Sequence, residues 1–144
     1  MAEFKLVISG KEGKTLQKEI KESEADVFIG LKIGDRVEGA NLGFEGYEFE
    51  IRGGSDYCGF PMRKGLSGTL RKSLLMGKGV GCLGKERKLR KKTLQRNRGG
   101  FRRKKTVCSE VIHEKISQIN LKILKTGKSS IFEVPATEEA PASE

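Results

Sequence analysis

Apolar and polar positions alternate from the start of the chain. Phe4, Leu6 and Ile8 fall on one side of an extended segment and Lys5 and Val7 on the other. After a turn over Gly10 to Gly13, Leu16, Lys18 and Ile20 interleave with Gln17 and Glu19. Two period-2 runs across a Gly-containing turn predict a β-hairpin. The cleanest strand is Tyr47 to Arg52, with Tyr47, Phe49 and Ile51 on one face and Glu48, Glu50 and Arg52 on the other. Ser23 to Leu31 is expected as a short helix, capped by Ser23 and ending near Gly30, and Ile33 to Val37 as a short strand. Val107 to Ile112 and Ser117 to Leu124 predict a second hairpin with Ile119, Leu121 and Ile123 facing inward. Leu70 to Met76 fits a helix through Leu70, Leu74 and Leu75, and a strand is also compatible.

Fifteen of the 19 glycines lie between Gly34 and Gly100. Glycine at this density breaks long helices and supplies tight turns. Short alternating strands joined by such turns predict a mostly β fold with short helical elements, a small, mostly antiparallel β-barrel or sandwich. At 144 residues, 35% hydrophobic and without Trp, the chain has room for one domain with a small aliphatic core. That domain is placed at residues 1–128. Residues 129–144 are expected to be a disordered acidic tail, because Val134 to Glu144 holds two prolines, three glutamates and no basic residue.

Charge changes the picture more than composition does. The chain carries 29 basic and 19 acidic residues, a net +10. Met1 to Leu70 has 10 basic and 12 acidic residues, and Thr106 to Glu144 has 4 and 6. Arg71 to Lys105 has 15 basic residues and one acid, Glu86, so the whole excess lies in one internal stretch. One loaded segment between two mildly acidic ones implies a docking arm for a polyanion. The longest apolar run near the front, Leu6-Val7-Ile8, is too short for a signal core or a membrane span. Without a lipidation motif or a basic amphipathic helix, no membrane partner is expected. Cys58, Cys82 and Cys108 are odd in number and never in a C-x-x-C pair, which fits a reducing cytoplasm.

Gly79-Val80-Gly81-Cys82-Leu83-Gly84-Lys85-Glu86 contains both G-x-G-x-x-G and G-x-x-x-x-G-K. A nucleotide-binding P-loop needs Ser or Thr after the lysine to hold Mg²⁺, and here Glu86 stands there. The segment after it, Arg87 to Lys92, is too charged for a helix packed on a sheet. Neither a nucleotide cofactor nor a small-molecule substrate is expected. His113 is the only histidine and has no partner at metal-ligand spacing, so neither a metal nor a catalytic residue is predicted.

The basic arm fits phosphate chemistry, since arginine forks onto phosphate and lysine acts as a mobile point charge. The candidate RNA-binding residues are Arg63, Lys64, Lys72, Lys78, Lys85, Arg87, Lys88, Arg90, Lys91, Lys92, Arg96, Arg98, Arg102, Arg103, Lys104 and Lys105. Phe101 is the only aromatic residue of Lys85 to Lys105, so the arm suits shape and backbone recognition of folded RNA rather than base stacking.

Gly53-Gly54-Ser55-Asp56-Tyr57-Cys58-Gly59-Phe60-Pro61-Met62-Arg63-Lys64-Gly65 closely resembles the signature of the eukaryotic-type small-subunit ribosomal protein six family, shared by archaea and eukaryotes. Phe4 to Ser9, Gly30 to Asp35, Arg102 to Val107 and Ile116 to Leu121 resemble family segments in the expected order. The resemblance runs from about Ala2 to Gly127. It implies a small antiparallel β-barrel, non-enzymatic and ribosome-bound in the cytoplasm, that contacts small-subunit rRNA and neighbouring ribosomal proteins. A free rRNA-assembly or translation factor of the same fold is the alternative. The long serine-bearing C-terminal helix of eukaryotic members does not follow the signature here, so the archaeal type is expected. The basic segment is longer than the archaeal form's and lacks its prolines.

Overall fold

Phe4, Leu6 and Ile8 lie buried on one face of β1 (Glu3–Ser9), and Ile20 joins them from β2 (Thr15–Lys21). β1 and β2 pair antiparallel, as the alternation predicts, and Lys5–Glu19 (3.0 Å) and Lys21–Glu3 (3.5 Å) bridge them on the wet face. The hydrogen bond from Lys5 holds the Glu19 carboxyl below its ordinary value. This computed structural model describes residues 3–21, 23–83, 100–127 and 131–132.

Next come a four-residue helix α1 (Ser23–Asp26), β3 (Arg36–Glu38), a 3-10 helix at Gly39–Leu42, and β4 (Glu48–Asp56). β5 (Lys72–Met76), β6 (Arg103–Val107) and β7 (Ile116–Lys125) complete the set. Five strands form one sheet in the order β2-β1-β7-β4-β3, and β5 and β6 form a separate two-stranded ribbon. β7 occupies the centre, parallel to β1 and antiparallel to β4. Ile119, Leu121 and Ile123 on β7 meet Phe49 and Ile51 on β4 in the core, with Phe28, Leu42, Met62 and Ile112 closing over them. Among the described residues no helix is long and apolar enough to cross a membrane.

Four expectations are corrected. The fold is mostly β, but the sheet is open and mixed rather than a closed antiparallel barrel: β2 and β3 are its two edges. Closure needs those edges to pair, and instead the 3-10 helix lies beside β2, where Lys18 Nζ donates to the Leu42 carbonyl at 2.7 Å. The helix expected over Ser23 to Leu31 stops at Asp26. Beyond it, Phe28, Ile29 and Leu31 donate three residues back, and Gly30 (φ 88°) turns the chain. β-Branched Val27 and Ile29 also lower helix propensity here. The strand expected over Ile33 to Val37 is confined to Arg36–Glu38.

Val107 to Ile112 does not form a hairpin with β7. Its backbone runs instead between two loops, with Cys108 N donating to Pro61 O (2.9 Å) and Ile112 N to Leu31 O (2.9 Å). The ambiguous Leu70–Met76 segment is a strand from Lys72. Two parts of the basic arm therefore pair as strands, within Lys72–Met76 and Arg103–Val107. Ile131 and Phe132, placed in the tail by composition, pack against the core cluster. The remaining tail expectations concern 129–130 and 133–144, outside the described residues.

Candidate nucleic-acid interface

β4 ends in the signature loop, and a buried carboxylate organises that loop. Asp56 Oδ1 accepts the backbone N–H groups of Cys58 and Phe60, both at 2.9 Å. Gly59 (φ 79°) takes the left-handed conformation that the turn requires. Met62 N donates to Gly54 O (2.8 Å), which drops the Met62 side chain into the core as a plug. Only glycine fits at 54, because a β-carbon there would overlap the Gln118 carbonyl oxygen and stand 3.1 Å from Met62 Sδ. Arg63 N then donates to Cys108 O (3.1 Å), and Gly65 N to Glu110 Oε2 (2.8 Å). The chain leaves the loop strapped on both sides.

The ribbon rises from that base. Leu74 faces Lys105, Leu75 faces Lys104, and Met76 faces Arg103. Opposed residues on paired strands share a face and neighbours along a strand alternate. Arg103 and Lys105 therefore share a face with Lys72, Leu74 and Met76, whereas Lys104 shares the other with Leu75. Met76, Cys82 and Val107 form a second small core with Leu66 and Leu74 against it. Gly81 seats this unit on the signature loop, since a β-carbon at 81 would lie 3.1 Å from both Pro61 Cγ and Val107 Cγ1.

Lys72, Lys78, Arg102, Arg103 and Lys104 are exposed, and Lys105 is half-buried. Lys72 Nζ also donates to Ser67 O at 3.1 Å. Arg63 lies at the ribbon's foot, its guanidinium 3.6 Å from Met76 Sδ. Lys64 points the other way, with Nζ 3.6 Å from where a β-carbon of Gly34 would stand. The two sit on a cleft of about 470 Å³ that Ile33, Val80 and Asn120 help to line. The ribbon and the residues at its ends thus carry six of the predicted cations, with Arg63 at its foot and Lys64 to one side. Lys85, Arg87, Lys88, Arg90, Lys91, Lys92, Arg96 and Arg98 lie outside the described residues.

Arg71 and Tyr57 are absent from the sequence-derived set. Arg71 Nε lies 2.5 Å from Asp56 Oδ2, and its guanidinium stands 4.8 Å from the Tyr57 ring centre and 5.2 Å from that of Phe60. Hydrogen bonding to Tyr57, and then to Asp56 and Cys58, drives the guanidinium further toward its charged form against the opposing effect of desolvation. Arg71 is thus spent on the fold, tying the signature loop to the ribbon. The signal in the sequence is an acid at a strand end followed by Tyr57 and Phe60, outside the Lys85 to Lys105 segment.

Cations collected on the ribbon and on the loop at its base mark a basic, mostly β protein. The family model described as "Ribosomal protein S6e" matches residues 4–136. A relative named "Small ribosomal subunit protein eS6" from Methanosphaera stadtmanae is 36% identical over 141 residues, covering 98% of each chain. One of the same name from Archaeoglobus fulgidus is 39% identical over 134 residues, covering 92% of this chain and 95% of its own. Another, from Methanothermobacter thermautotrophicus, is 38% identical over 136 residues, covering 94% and 98%. The chain belongs to the ribosomal protein S6e family.

Proposed function

We propose that this protein is a structural constituent of the small ribosomal subunit in the cytoplasm, holding folded rRNA with its basic segment. The observation that carries the reading is the placement of charge. Arg103 and Lys105 lie on one face of the ribbon and Lys104 on the other, and from Arg71 to Lys105 the only acid is Glu86. Lys104 stands on the face free of the small core, whereas exposed Arg103 and half-buried Lys105 share theirs with buried Met76 and Val107. The ribbon therefore suits phosphate contact chiefly through the Lys104 face, with Arg103 adding to it. Lys72 and Lys78 extend the contact along the ribbon, Arg63 and Lys64 add it at the loop, and Lys85 to Arg98 continue the same charge in sequence. The role calls for no catalytic group and no cofactor. Residues 1–128 act as one domain in this reading, with 71–105 as its RNA-facing part and neighbouring ribosomal proteins on its other surfaces.

Sedimentation tests it. A tagged chain expressed in an archaeal host is expected to remain with the small subunit through a high-salt sucrose gradient. Recovery at the top of the gradient would instead identify a transient assembly or translation factor.

A further inference from the structure

On the basis of that rRNA-binding role, we infer that Tyr57 is a stacking platform for one unpaired rRNA base, presented by Arg71. Tyr57 is 65% exposed, whereas the other tyrosine, Tyr47, is buried. Exposure alone would be unremarked; single apolar residues are common on protein surfaces. What sets Tyr57 apart is that its ring is held. The Arg71 guanidinium packs on it at 4.8 Å and on Phe60 at 5.2 Å. Arg71 is itself anchored by Asp56, whose side chain is 1% exposed. The backbone is fixed as well, with Tyr57 N donating to Lys115 O at 3.1 Å.

A ring whose position is already set loses little freedom when a ligand stacks on it. A guanidinium over one face leaves the opposite face open, in agreement with the ring's large exposure. Every nucleobase has a flat π-face, and stacking on tyrosine is a sequence-tolerant way to hold one. Exposed Lys72 follows Arg71 in the chain, and exposed Lys115 supplies the carbonyl that fixes Tyr57. Both cations thus adjoin Arg71 or Tyr57, in sequence or through a backbone hydrogen bond. Asp56, the acid inside the cluster, is consumed by Arg71 and two backbone N–H groups and presents no negative charge to RNA.

The full chain is titrated with protein-free small-subunit rRNA at several salt concentrations, alongside Tyr57→Leu and Tyr57→Phe. Tyr57→Leu is expected to weaken binding about tenfold with an unchanged salt slope, because stacking releases no counterions. Tyr57→Phe keeps the ring and is expected to stay within about threefold of the parent. A Leu variant that binds like the parent would overturn the platform and leave the residue to a protein neighbour. Equal losses in Leu and Phe would overturn it in favour of a hydroxyl contact.

Fluorescence gives a readout independent of the Leu variant's stability. The protein has no Trp, so subtracting the Tyr57→Phe emission from the parent's isolates Tyr57. A single-stranded uridine 12-mer is expected to quench that emission and a duplex of equal length to leave it unchanged; no quenching by the single strand also overturns the platform. If the parent itself fails to bind rRNA, the ribosomal role fails. If the parent binds and Tyr57→Leu matches it, only the platform does.

Discussion

Asp56 at the end of β4 and Arg71 just before β5 form an ion pair at 2.5 Å, with the carboxylate buried. The pair joins the five-stranded sheet to the ribbon, two units that share no strand. Asp56 also satisfies two loop N–H groups, so its removal leaves three donors without their acceptor. Asp56→Ala is expected to cost about 2–4 kcal/mol, because orphaned buried polar groups carry their full desolvation penalty. Thermal denaturation checks this, and a melting temperature within 2 °C of the parent would refute it. Arg71→Lys is expected to restore little, since an ammonium cannot reproduce the planar contacts with both Tyr57 and Phe60.

Two glycines of the same loop separate steric from conformational demand. A β-carbon at Gly54 would overlap the Gln118 carbonyl in the β4–β7 ladder, so backbone has to move. Gly54→Ala is expected to cost about 3 kcal/mol. At Gly59 nothing lies within 4 Å of the added carbon, but φ is +79°. Gly59→Ala is expected to lose only about 1–2 kcal/mol, the ordinary left-handed penalty. Urea denaturation of the two variants checks the order, and the reverse order would show that the loop relaxes more readily than the ladder.

Local pattern was legible and partner choice was not. The β1–β2 hairpin follows from alternation across a glycine turn, and the inward faces of β4 and β7 follow from Phe49, Ile51, Ile119, Leu121 and Ile123. Periodicity is blind to which distant strand a given strand meets, so the parallel β1–β7 pairing had no local signal and the sheet was expected to close. Val107 to Ile112 has strand-like residues but spends its hydrogen bonds on Pro61 and Leu31, contacts fixed by tertiary packing. For the candidate interface, charge density nominates Lys72, Lys78 and Arg102 to Lys105. It could not separate Arg71, whose charge is used internally, from its neighbours. Nor could it reveal Tyr57, whose setting depends on that arginine.

The three cysteines differ in access. Cys58 is exposed, and Cys82 and Cys108 are buried. One thiol per chain is expected to react promptly with Ellman's reagent, and the other two only on unfolding; prompt reaction of all three would show that the two cores open readily. Desolvation, with a smaller contribution from Asp56, raises the Cys108 thiol's pKa above its ordinary value. The folded state therefore keeps a proton that the unfolded chain releases. This contribution is fully present below the ordinary thiol value of about 8.5 and is lost as pH rises through the folded value. Cys108→Ser lacks the alkaline-titrating thiol and is expected to show a smaller fall in stability between neutral pH and pH 10. An equal fall in both proteins would assign the alkaline loss elsewhere.

The ribbon's charges can be tested apart from its fold. Arg103 and Lys104 are exposed and Lys105 is half-buried, and none of the three has an ion pair among the described residues. Glutamine keeps much of each side chain's length, so the strand and the Met76–Val107 core beneath it remain. Replacing all three with glutamine is expected to shift the melting temperature by no more than a few degrees, as for surface changes away from packing. The effect on RNA is different in kind. Each cation that neutralises a phosphate releases counterions, and its loss makes the slope of log K against log salt shallower by about 0.7–0.9. If both faces meet phosphate, the triple variant loses about three such increments. Lys104→Gln alone and the Arg103/Lys105 pair then divide that loss about one to two. An unchanged slope for the triple variant would remove the ribbon from the interface and leave Arg63 and Lys64 as the contacts to test next. A loss confined to the Arg103/Lys105 pair would mean that only one face meets RNA, with Lys104 and the exposed Leu75 turned toward another surface.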